Sequence, residues 1–163
     1  MTTAMDTYFQ AEQAESVLFA VFGVLAIGVS AYLLWRYGDL MSKGLAIPLM
    51  LVGLIQLTVG TTVYVRTPSQ VAALKTQYAQ DQSAFRAGEI PRMKTVMDNF
   101  STYKIIEVAF ILIGLALTLF VSHPFWLGIG MGMLVQGALM LPADITAMQR
   151  GAIYQAAVAR SGG

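Results

Sequence analysis

The chain of 163 residues contains no cysteine and only one histidine, His123. Without a thiol there is no disulfide, no thiolate metal site and no cysteine nucleophile. A lone imidazole excludes bis-histidine haem ligation and histidine-rich zinc sites within one chain. Charge is scarce as well: Asp, Glu, Lys and Arg make up 12% of the residues, about half their share in soluble domains. The net charge of +1 supplies no bulk attraction to nucleic acid. No nucleophile motif, phosphate loop or paired carboxylates stand out. The run Gly128-x-Gly130-x-Gly132 follows no strand, so it is not a dinucleotide fingerprint. The first apolar run is preceded by Asp6, Glu12 and Glu15 rather than by a basic stretch, so the N-terminus does not read as a secretory signal. These absences predict neither a cofactor nor a metal site.

What is present is apolar surface. Hydrophobic residues make up 56% of the chain, more than one core of this size can hide. Lipid can take up the surplus. A helix crossing the hydrocarbon layer needs about 20 mostly apolar residues. Ser16 to Trp35 and Gly44 to Val65 carry no charge and stop at Arg36 and Arg66. Val108 to Ala143 also carries none, but it is too long for one span and is broken by Ser122-His123-Pro124. The reading is an all-α integral membrane protein, a four-transmembrane-helix bundle forming a single domain over 1–163. Its spans fall at about 16–36, 44–65, 103–121 and 125–142. Trp35, Tyr37, Tyr64, Tyr103, Phe125 and Trp126 fall near span ends, where aromatic rings favour the headgroup zone.

Four spans place both termini and the segment between spans two and three on one side. That side carries eight of the ten basic residues, leaving Arg36 and Lys43 on the other. The positive-inside rule then puts both termini in the cytoplasm, in a bacterial-type inner membrane. A cytoplasmic helical hairpin is expected over about 67–102. Thr67-Pro68-Ser69-Gln70 reads as a helix start. Val71, Leu74, Tyr78 and Phe85 share a face, Ala87-Gly88-Glu89 reads as a turn, and Pro91 opens a helix continuous to about 121. Pro142-Ala143-Asp144 marks a kink or boundary before a terminal helix over about 144–160.

Candidate polar sites follow from helical spacing. Projected at about 100° per residue, Arg92, Val96, Asn99, Tyr103 and Glu107 share one face of the third helix. Lys94 and Asp98 lie opposite, spaced as an exposed ion pair. Glu107 is a carboxylate at membrane depth, where such groups face the bundle or a water cavity. Lys104, Gln56, Gln136 and Tyr103 are its expected partners. Gln56 and Gln136 sit midway along their spans and must hydrogen-bond there, to each other's helices or around a polar pocket. Gly128 and Gly132 give the spacing that lets another helix approach closely. His123 in the outer turn, and Arg150 with Tyr154 on the terminal helix, read as solvated. The expected partners are the lipid bilayer and other membrane proteins or a second copy, not nucleic acid. The expected role is non-enzymatic: an accessory subunit of a membrane complex, or an immunity-type protein. The alternatives are a small membrane enzyme taking an amphipathic or thiol substrate, with Arg92 and Asn99 at its cytoplasmic helix end, and a small transporter or channel.

Overall fold

A computed structural model describes residues 1–161 as four long helices, with no strand among the described residues. Helix α1 spans Thr2–Arg36, α2 Leu40–Gln80, α3 Gln82–Phe120 and α4 Pro124–Arg160. Each is long and apolar enough to cross a membrane. At 35 to 41 residues and about 1.5 Å per residue, they run roughly 50–60 Å, well beyond the ~30 Å of a hydrocarbon layer.

Short connections with clear chemistry make the chain run up and down. Gly38, with φ of 63°, takes the left-handed conformation that closes α1. Asp39 then caps α2 by accepting from the backbone N–H groups of Met41 and Ser42. Between α2 and α3 stands one residue, Asp81, accepting from the N–H groups of Ser83 and Ala84. His123 opens α4, its Nδ1 accepting from the N–H of Phe125 at 3.3 Å.

Close glycine contacts fix the lateral order α1–α2–α4–α3. A Cβ on Gly23 would stand 2.6 Å from the Gly53 carbonyl oxygen, and one on Gly60 would stand 2.5 Å from that of Ser16, so α1 lies directly on α2. Gly128 abuts the Met41 carbonyl and Gly132 abuts Pro48, both on α2. Gly130 turns the other way: a Cβ there would stand 2.8 Å from the Gly114 carbonyl oxygen on α3. Two residues of helix rotate a side chain by about 200°. The glycine run therefore thins α4 on both faces at once, and its neighbours lie in the same chain.

The structure corrects several expected breaks. Helix α2 does not start again at Pro68 but runs through it. The nearby hydroxyls cover local carbonyls, Thr67 donating to Val63 at 2.7 Å and Ser69 to Arg66 at 2.9 Å. Pro91 and Pro142 likewise sit inside α3 and α4. Thr95 donates to the Pro91 carbonyl, and Thr146 to those of Pro142 and Ala143. So the separate terminal helix over 144–160 is the continuation of α4. The turn is not at Ala87-Gly88-Glu89 either. That stretch is helical, because it carries Phe85 and Glu89 into a core, while Asp81 supplies the better cap.

That core holds the polar ends of the helices together. Met5, Tyr8 and Phe9 from α1, Phe85 and Met93 from α3, and Tyr154 and Val158 from α4 are buried as one cluster, with Val71, Leu74 and Tyr78 of α2 against it. The expected two-helix hairpin is therefore part of a four-helix assembly. The C-terminal part of α2 is tied to the first turns of α1 by Lys75 to Asp6 at 2.6 Å and meets α3 where the Tyr78 ring packs edge-on against Phe85.

Candidate functional site

Three polar groupings lie along the interior. The first is in the core between the polar ends. Glu89 is 1% exposed. It accepts twice from Arg92, at 2.6 Å from Nε and 2.6 Å from Nη2, and once from the Tyr154 hydroxyl at 2.9 Å. The Arg92 guanidinium lies over the Phe9 ring, 5.5 Å from its centroid. Tyr8 and Tyr154 stack with centroids 4.7 Å apart, and Phe9 meets both edge-on. Burial disfavours the Arg92 charge, but the hydrogen bonds and charge of Glu89 outweigh it, so the guanidinium is held above its ordinary range. Burial, helped by the Glu12 charge, pushes the Tyr8 phenol up to about 12. It raises the Tyr154 phenol too, aided by the Glu89 charge. With three donors fixed on it, Glu89 acts as an anchor and is not free to serve as a general base.

The first grouping is flanked, one to two turns farther along, by an ionic belt. Glu12 accepts from the Thr67 hydroxyl at 3.5 Å and faces Arg66 at 3.9 Å. Burial pushes its carboxyl above the usual range despite Arg66. Glu15 pairs with Arg150 of α4. Arg150 and Tyr154 are thus not on a solvated face: Tyr154 is 1% exposed and Arg150 is ion-paired. Spacing could have found them. Gly151, Tyr154 and Val158 recur at intervals of three and four residues, as do Met5, Tyr8, Phe9 and Glu12.

The second and third groupings are deeper. Gln56 donates from Nε2 to Gln136 Oε1 at 3.2 Å, both side chains buried. Glu107 is buried on the bundle side of α3, but with none of its expected partners. Lys104 is half-buried, Tyr103 and Asn99 are exposed, and the two glutamines engage each other. On α4, Gly137 lies against the Glu107 carbonyl and Gly151 against Met97, so Asp144, midway between them on the same face, also looks toward α3. The projected stripe fails because α3 buries Met93, Glu107 and Gly114, spaced in multiples of seven. A straight helical projection drifts about 20° per heptad against such a repeat. Lys94 and Asp98 are exposed, with no ion pair between them.

Two open grooves mark the surface. One between α1 and α2 is lined by Ser16, Val17, Ala20, Val24, Gly60 and Tyr64. The other, near the α1–α2 and α3–α4 turns, is lined by Leu34, Lys43, Ala46, Ile47, Met50 and Phe125. Among the described residues no three His, Asp or Glu side chains are grouped to hold a metal ion. No family model, curated protein or solved structure matches this chain.

Proposed function

We propose that this chain is a polytopic protein of a bacterial-type inner membrane, with both termini in the cytoplasm. We further propose that it acts through protein contacts, as an accessory subunit of a membrane complex or as an immunity-type protein. The observation that carries this reading is the shared extension of all four helices past their apolar lengths into one core around Phe9, Phe85, Met93 and Tyr154. That assembly supplies a rigid helical column standing roughly 20–30 Å beyond a hydrocarbon layer. Its strongest polar groups are turned inward and bonded to one another. Exposed apolar side chains such as Leu112, Leu119 and Phe120 cover the outside of the opposite half, as lipid contact requires.

An enzyme or transporter reading favours polar groups converging on an accessible pocket; both grooves are instead framed mostly by apolar side chains. The test is purification of the chain, tagged at native expression level, in mild detergent. The expected result is a particle larger than one chain in its micelle, containing a second membrane protein in fixed ratio that is lost when the exposed face of 82–102 is recoded. A lone monomer, or turnover of glutathione with an apolar electrophile, would overturn the proposal.

A further inference from the structure

Glu107 is 5% exposed, and both of its carboxyl oxygens are closed off from solvent without a hydrogen-bond partner. Its backbone carbonyl lies beside Gly137 of α4. A helical side chain leans toward the N-terminus of its own helix. On α3 that direction leads toward the polar ends. The antiparallel α4 carries Asp144 on the Gly137 face in that same direction, two turns beyond Gly137. Gly151, one further heptad along, meets Met97 and Met93 of α3, so the register directs the Glu107 and Asp144 side chains toward each other in the α3–α4 interface.

Among the described residues no ion pair involves either carboxylate. On α3, Lys104 precedes Glu107 by three residues and is half-buried without an ion pair to it. On α4, Arg150 is committed to Glu15 of α1. On α2, Arg66 faces Glu12 of α1.

We propose that Glu107 and Asp144 form a proton-binding site and hold one proton between them at neutral pH. Two ionised carboxylates side by side in a closed interface would repel while both lack water. A single shared proton replaces that repulsion with an O–H···O⁻ hydrogen bond, among the stronger kinds in proteins. It also gives the Glu107 oxygens the partner that burial denies them. Loss of the proton would set two like charges between α3 and α4, where Gly137 packs closely on Ile111. The site thereby links proton occupancy to the fit of that helix pair. It goes beyond the contact role proposed above and does not depend on it.

Infrared difference spectroscopy on the full chain in lipid nanodiscs tests the site. The expected result at neutral pH is a protonated-carboxyl stretch that shifts in D2O and disappears in the double variant Glu107→Gln, Asp144→Asn. The amides preserve shape and hydrogen bonding, and the native spectrum stands even where the variant fails to fold. A native spectrum without such a band overturns the proposal, as does a band undiminished in the folded double variant. A band that emerges only when sodium and potassium are replaced by choline would assign the site to a metal cation instead.

Discussion

Replacing Tyr154 by Phe removes one oxygen from the most densely bonded point of the protein. The ring keeps its stack on Tyr8 and its edge contact with Phe9. What disappears is the hydroxyl that donates to Glu89 at 2.9 Å. Glu89 is 1% exposed, so water cannot replace that donor. A buried hydrogen bond to a charged group contributes roughly 1.5–3 kcal/mol. Arg92 retains both of its bonds to the carboxylate, so the lower half of that range is expected, about 1.5–2 kcal/mol. Glu89→Gln should cost more, about 3–5 kcal/mol, because it strands the Arg92 guanidinium. The Arg92 side chain keeps 27% of its surface in solvent, which again favours the lower end. Unfolding of the native and variant proteins in mild detergent, followed by circular dichroism, measures both differences. In a double-mutant cycle the two changes should be less than additive, since they share one carboxylate. If both variants unfold with the parent, within about 0.5 kcal/mol, Glu89 is not a buried, triply bonded anchor.

Gly88 lies mid-helix with open space where a Cβ would go, so Gly88→Ala should stabilise the protein by roughly 0.5–1 kcal/mol; a loss of stability would restore the turn at 87–89. Gly128→Ala drives a methyl into the Met41 carbonyl, whereas Gly28→Ala meets nothing within 4 Å. The first should cost about 1–3 kcal/mol of overpacking and the second should be neutral or better, in the same unfolding assay. Glu12 has its folded value raised, chiefly by burial. Its contribution is therefore fully present below the unfolded carboxylate value and is lost as pH rises through the folded one. Melting temperature should fall over that rise for the native chain relative to Glu12→Gln; a relative increase would contradict the burial.

The four helices, and the turns that end α1 and α3, were legible because the charge-free runs stop at Arg36 and Arg66 and Ser122-His123-Pro124 breaks the last one. The positions of α2 and α3 breaks were not. Pro68, Pro91 and Gly88 are breakers by local preference, and tertiary packing overrides each, with Thr and Ser hydroxyls near the prolines donating to backbone carbonyls. The first fifteen residues carry too many polar side chains to register as a core element, yet Met5, Tyr8 and Phe9 are among the most buried in the chain. Glu89 was hidden by the misplaced turn. The Glu107 partnership was hidden by distance along the chain. Its depth identified the residue, but only the antiparallel α3–α4 register brings Asp144 to it.

In the proposed topology the chain crosses the membrane four times, with its long polar ends gathered on the cytoplasmic side. Because the chain lacks cysteine, single cysteines at the exposed positions Ser69 and Ser122 report their own side without background. With a membrane-impermeant maleimide, Ser122→Cys should label in intact cells, and Ser69→Cys only after the membrane is permeabilised. Labelling of Ser69→Cys but not Ser122→Cys in intact cells would invert the orientation, and labelling of both would break the four-crossing arrangement.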